Sequence, residues 1–253
     1  KLSRRYGATI PEMLAALDRI REELSKYESI EDTLEKLRRR AMESAAAYDA
    51  QAARLSKSRR QLAQRFAQRM EEQLSDLNMR GTRFYVDFSA ENAPRSPLGT
   101  DNVRFLIAPN AGEEKKPLSK IASGGELSRI MLAMKNVLAE QDSVMTMVFD
   151  EVDTGVSGRA AQRVAEKLAR LSRFRQVLCV THLPQLAAMA DVHFGVEKGE
   201  ADGRTRTNVL VLDRAARRRE VARLSGGDPP SDTMLSGAEE LLSAAESFKQ
   251  SIQ

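Results

Sequence analysis

One cysteine, Cys179, and two histidines, His182 and His193, in 253 residues exclude a disulfide framework, a cysteine-built zinc cluster and a histidine-rich metal centre. Tryptophan is absent and aromatic residues make up only 5% of the chain. No window approaches the ~18 uncharged apolar residues of a membrane span, and the amino end has no secretory pattern, so the sequence predicts a soluble, cytoplasmic protein without a membrane partner. The chain opens on Lys1 rather than Met, which predicts a fragment or a processed product. No glycine lies between Gly7 and Gly81 and no proline between Pro11 and Pro94, so the first third reads as helix without punctuation. A Gly-Lys dipeptide is missing throughout, and with it any G-x-x-x-x-G-K-[ST] phosphate loop.

What is present is charge, unevenly placed. Charged residues make up 30% of the chain and the formal net charge is +4. Residues 1–80 hold 17 basic against 13 acidic side chains, so the whole surplus lies there, and residues 36–70 alone hold ten basic against two acidic. Thr9, Pro11 and Glu12 spell a helix start: a capping hydroxyl, a first-turn proline and an acid three residues past the cap. Met13, Leu17, Ile20, Leu24 and Tyr27 then follow at alternating steps of four and three, which predicts a narrow apolar seam. A second run from Ile30 through Leu34, Leu37, Ala41, Ala45, Tyr48, Ala52, Leu55, Leu62 and Phe66 keeps most of that spacing, with one extra step resembling a stutter. The expected arm is therefore a helix over about 10–29 and a long one over about 30–79, forming a coiled-coil arm at residues 1–80. Its basic residues Arg38, Arg39, Arg40, Lys57, Arg59, Arg60 and Arg65 are either a solvated coiled-coil surface or a stripe that tracks DNA phosphates without reading bases. No aromatic side chains interleave with them to suggest stacking on single strands.

Residues 81–253 change character. Thr82–Ala90 and Asn102–Ala108 alternate as strands. Ser123-Gly124-Gly125-Glu126 opens a helical run, and Val144–Phe149 is a short apolar strand that ends in Asp150-Glu151. A helix over about Ser157–Leu171, a buried strand Val177–Val180 ending in Thr181-His182, and strands near Val192–Val196 and Val209–Leu212 complete an α/β pattern. Ligands bind at the carboxyl ends of such strands. Two adjacent carboxylates at a strand tip either begin an ordinary loop or divide the work of nucleotide hydrolysis, one organising Mg²⁺ and the other polarising water. Free N–H groups at a helix mouth beside two glycines and a serine either cap a helix or cradle an anion. Leu224-Ser225-Gly226-Gly227 spells a similar word, but after a helical stretch and before Asp228-Pro229-Pro230, so it reads as a helix terminator. His182 is either structural or within reach of a terminal phosphate or an attacking water. Cys179 lies inside an apolar strand and is expected to be an inert thiol, while His193 carries no assigned role.

Three blocks, Leu118–Arg129, Val148–Gly158 and Cys179–Gln185, resemble in order the signature motif, the Walker B and D-loop, and the H-loop of an ABC-type ATPase. The wording around them resembles the SMC-like ATPases of bacterial DNA repair. The resemblance implies an α/β fold, the carboxyl-terminal lobe of an ABC/SMC-type P-loop ATPase head with a long antiparallel coiled-coil arm, and ATP and Mg²⁺ as cofactors. It implies that Ser123, Gly124 and Gly125 contact the γ-phosphate of ATP held by the opposite subunit. Glu126 stands where many such proteins have Gln. Asp150 would serve the Mg²⁺ shell, Glu151 would be the general base, Asp153 would bridge the subunit interface and His182 would sense the γ-phosphate. The expected protein is a cytoplasmic, nucleoid-associated ATPase of double-strand break repair and recombination. ATP would join its heads as a homodimer on DNA, and hydrolysis would release them. The Walker A loop would come from an amino-terminal half, without which this chain is expected to be inactive. The alternatives are a non-catalytic coiled-coil scaffold and, less in keeping with a basic arm, a transporter's ATPase subunit.

Overall fold

Thr9 and Glu12 close the reciprocal cap expected of them. The Glu12 carboxylate accepts the N–H groups of Ala8 and Thr9 at 2.6 and 3.1 Å, and the Glu12 N–H donates to Thr9 Oγ1 at 3.5 Å. After a single turn, α1 (Ser3–Tyr6), this cap starts α2 (Ile10–Asp76), 67 residues without a break. One helix thus stands where the sequence predicts two. Ser29 Oγ donates to the Lys26 carbonyl and Thr33 Oγ1 to the Ser29 carbonyl, so the hydroxyls that could have capped a second helix fold back onto the first. Propagating a helix is easier than nucleating another. It ends where Asn78 takes a φ of +63°, a left-handed residue that stops helices.

The computed structural model describes residues 2–88, 94–110, 112–201 and 204–252. They divide into two compact units: Lys1–Arg60 with Asn92–Asp101, and Gln61–Glu91 with Asn102–Gln253. The division falls inside α2, twenty residues before the expected boundary near Gly81.

In the first unit a short segment, 94–101, straps onto α2. Tyr48 Oη donates to the Ser96 carbonyl and accepts its N–H, both at 3.0 Å. Arg95 makes a two-pronged pair with Asp49 at 3.0 and 2.7 Å. Asp101, its side chain only 6% exposed, accepts from Ser56 Oγ at 2.7 Å and Arg59 Nη1 at 3.1 Å. Burial pushes the Asp101 carboxyl up, but the Ser56 and Arg59 bonds prevail and hold it below the usual carboxylate range. Arg59, one of the basic residues that the sequence left as either a solvated surface or a phosphate-tracking stripe, is thus committed to a carboxylate of its own unit. Arg39 lies 3.6 Å from Glu43, whereas Arg38, Arg40 and Lys57 are exposed. Along the seam, Ile20, Leu24, Tyr27, Leu34 and Leu37 are each at least 46% exposed.

The second unit begins with β1 (Arg83–Phe88), antiparallel to β2 (Val103–Ala108), which pairs with β3 (Lys116–Pro117). Residues 89 and 90 of the expected first strand lie outside the described residues. Phe66, Phe84 and Phe105 meet with ring centroids 5.5–5.8 Å apart and seat the end of α2 on this sheet. Then come α3 (Gly124–Val137), β4 (Thr146–Phe149), α4 (Gly158–Ser172) and β5 (Gln176–Cys179). The strands β4 and β5 run parallel in register, Phe149 opposite Cys179. Met147 and Phe149 are buried in the same core as α4, which buries Ala161, Val164, Ala165, Leu168 and Leu171, the 3/4 spacing of one helical face. On the opposite face Val148, Leu178 and Val180 are 68, 45 and 62% exposed.

A short helix that the sequence did not announce, α5 (Pro184–Met189), leads into the hairpin β6 (Phe194–Ala201) and β7 (Arg204–Val211), both longer than expected. Helices α6 (Arg214–Leu224) and α7 (Asp232–Ser251) close the unit. Arg217, on α6, donates to the carbonyls of Ala187, Ala188 and Ala190 and so ties off the end of α5. The Ser225-Gly226-Gly227 word terminates α6 as expected, with Ser225 as its cap and Gly226 at φ +125°.

Candidate functional site

The site grows from the level tips of two parallel strands. Val180 N–H donates to the Phe149 carbonyl at 3.0 Å, so Asp150-Glu151 after β4 and Thr181-His182 after β5 leave the sheet side by side. Asp150 and Glu151 are both exposed. Asp150 Oδ1 accepts the Glu151 N–H at 2.9 Å, and Glu151 adopts φ +57°, a left-handed turn rarely taken by a glutamate. The chain then dips inward: Val152 is fully buried and Asp153 is 3% exposed.

The start of α3 rests on this turn. Ser123, exposed, is its cap and accepts the Glu126 N–H at 3.4 Å. A Cβ on Gly124 would run into the Glu151 carboxylate, and one on Gly125 would come within 2.9 Å of Thr154 Cβ and 3.0 Å of its carbonyl oxygen. Packing within the chain therefore requires glycine at position 125, where backbone stands in the way, whereas at position 124 the Glu151 side chain could swing aside. Ser128 Oγ donates to the Asp150 carbonyl at 2.8 Å and Arg129 Nη1 to the Thr154 carbonyl at 2.6 Å. The Arg129 side chain is buried, which pushes its guanidinium pKa down against the opposing pull of Glu126. Ser128 and Arg129 went unassigned as site residues. They stand one helical turn beyond Gly124 and Gly125, so a helical projection would have placed them on the same face.

Asp153, expected from the resemblance to bridge a subunit interface, has partners within its own chain. Its carboxylate is enclosed and accepts from Thr181 Oγ1 and the His182 N–H of its own chain, with His182 Nδ1 3.2 Å away. His182 itself is 73% exposed at the side chain. Thr181 is a third residue overlooked; its position one step before His182 at a strand exit was the available signal.

Cys179 is half-buried in β5, and burial, reinforced by Asp153 and Asp150, pushes its thiol up to about 12. Such a thiol stays protonated at neutral pH and is a poor nucleophile. In the native chain at pH 8 Cys179 is expected to resist iodoacetamide while the urea-unfolded chain is labelled fully. Equal rates in the two states would show an accessible thiolate instead.

A glycine-bearing helix mouth docks on a carboxylate turn, level with a histidine at the next strand tip, and the fold that carries them is that of an SMC-type head domain. The chain superposes with TM-score 0.54 on the crystal structure of the Smc head domain with a coiled coil and joint from Pyrococcus yayanosii, at 22% identity over 85% of this chain and 38% of that one. No family model matches. The sequence goes further: it is 40% identical over 263 residues to the DNA repair protein RecN of Bacillus subtilis, covering 98% of this chain and 46% of that protein. It is also 40% identical over 256 residues to RecN of Treponema pallidum, covering 96% of this chain and 44% of that protein. The chain belongs with the RecN proteins and spans slightly under half the length of these relatives.

Proposed function

We propose that this chain supplies the signature, Walker B and histidine elements of an ATPase that acts on DNA in double-strand break repair and recombination, in the bacterial cytoplasm. The carrying observation is the docking of the α3 mouth onto the Asp150–Thr154 turn, level with His182. The residues fit the nucleotide. Asp150 presents one exposed carboxylate, the usual protein share of a Mg²⁺ shell that otherwise keeps water and phosphate oxygens. Bound Mg²⁺ would neutralise charge on the phosphates. No cluster of three or more His, Cys, Asp or Glu residues among the described ones forms an all-protein metal cage, in keeping with a site finished by substrate.

In this reading Glu151 takes the proton of the attacking water, His182 meets the terminal phosphate from the neighbouring strand tip, and Ser123, Gly124 and Gly125 present their N–H groups and hydroxyl to the γ-phosphate of ATP on a second copy. Glu126 stays on the cap, its N–H already given to Ser123. A nucleotide held between two copies makes a homodimer that lasts as long as the ATP. The Walker A loop comes from an amino-terminal half. Two uncovered apolar sheet faces support such a partner: Val148, Leu178 and Val180 on β4–β5, and Phe194, Val196, Val209 and Val211 on the hairpin, at 50–69% exposure for the last four. Mixing this chain with a separately made amino-terminal half of a RecN protein is expected to yield ATP turnover that neither shows alone. A mixture as silent as its parts would overturn the split head.

For the arm, no helix among the described residues is long and apolar enough to cross a membrane, and its exposed cations suit a polyanion. Reversing Arg38, Arg40 and Lys57 is expected to flatten the log–log salt dependence of duplex binding by about 0.9 for each phosphate no longer neutralised. Arg59 is a poor probe, because its reversal would also break the Asp101 strap. An unchanged slope would make the arm a spacer.

A further inference from the structure

We propose that Asp153 is a positioning residue that fixes the tautomer and orientation of His182, and that it does so from inside its own chain rather than across a subunit boundary. One carboxylate oxygen, Asp153 Oδ2, accepts from Thr181 Oγ1 at 2.6 Å and from the His182 backbone N–H at 3.1 Å, and stands 3.2 Å from His182 Nδ1. Thr181 Oγ1 accepts the Leu183 N–H at 3.0 Å in turn, which locks the hydroxyl so that its own proton goes to Asp153. The Asp153 side chain is 4% exposed and the His182 side chain 73%: a buried anchor holds an exposed ring by one edge.

The chemistry follows from the edge that is held. A carboxylate oxygen accepts, so Nδ1 must carry a proton, and the neutral ring is the Nδ1–H form with a lone pair on Nε2. That outer nitrogen accepts from water while the ring is neutral and donates to an anion only once the ring is cationic. The arrangement is that of a base oriented by a third group. The neighbouring charges on the packed elements are Asp150 and Glu151, at the tip of β4. The kinetic part of this inference rests on the ATPase reading; the tautomer does not.

The chain has two histidines, so the nitrogen spectrum of the whole chain with ¹⁵N-labelled histidine holds two rings, and His193 reports that the fold is intact. His182 is expected as the Nδ1–H tautomer when its ring is neutral. Asp153→Ala should move it to the Nε2–H form that free imidazole side chains prefer. Asp153→Asn, whose amide oxygen can take the same place, should retain Nδ1–H. An Nε2–H ring in the unsubstituted chain overturns the proposal even where Asp153→Ala fails to fold, and so does a tautomer that ignores the alanine. In the chain completed by its amino-terminal half, Asp153→Ala is expected to lower kcat about 10- to 100-fold, as loss of an orienting partner does, with KM for ATP unchanged. It should add nothing to His182→Ala; losses that multiply would place Asp153 elsewhere in the mechanism. A completed head without turnover would defeat the hydrolysis reading and leave the tautomer result to decide this one.

Discussion

Replacing Glu151 by Gln, in the chain completed by its amino-terminal half, is expected to slow ATP turnover by about two to four orders of magnitude, the range lost with a general base, while ATP-dependent dimers accumulate. The substitution keeps the length and shape of the side chain and removes only its ability to take a proton. Glu151 is exposed at the end of β4 and makes no ion pair among the described residues, so the fold should tolerate it. Steady-state turnover and light scattering with and without ATP read the two effects separately. The paired outcome also separates an ATPase from a coiled-coil scaffold, because a scaffold has no use for a base at a strand tip. Unchanged turnover would remove Glu151 from that role.

Gly125→Val is expected to abolish ATP-dependent dimerisation and to destabilise the second unit by about 1–3 kcal/mol, the usual result of overpacking. Already the first carbon would stand 2.9 Å from Thr154 Cβ, with two carbonyl oxygens at 3.0 and 3.2 Å. Backbone cannot yield as a flexible side chain can. The helix mouth would have to lift away from the Asp150–Thr154 turn and break the bonds of Ser128 and Arg129 to its carbonyls. Urea titration reads the stability and size-exclusion chromatography the dimer. By contrast Ser123→Ala removes one cap bond of 3.4 Å and should leave the unfolding midpoint nearly in place. A Gly125→Val chain as stable as the original would mean that the α3 packing is loose.

What the sequence made legible was local. The Thr9–Glu12 cap, the start of α3 at Ser123, the terminating role of Gly226 and the Asp150-Glu151 tip each depend on residues within four positions of one another, where spacing and backbone preference decide the outcome. What escaped depends on partners brought together across the chain. Ser29 and Thr33 could start a helix or continue one, and a hydroxyl's identity does not say which carbonyl it will find. The strap that occupies Arg59 closes over a sequence separation of 42 residues, and an arginine in a basic run carries no mark of that partner. The partners of Asp153 within the chain, Thr181 and His182, lie 28 and 29 residues away and meet it because β4 and β5 end level.

The left-handed turn at Glu151 carries a consequence of its own. A glutamate at φ +57° is disfavoured by roughly 1–2 kcal/mol relative to the ordinary basin, and glycine or asparagine would occupy that angle more comfortably. Selection for heat resistance alone would drift toward those residues and discard the carboxylate in the same step. On the proposed role of Glu151, durability and turnover are opposed at a single peptide angle, and a natural sequence that keeps an acid there has settled for the less robust molecule.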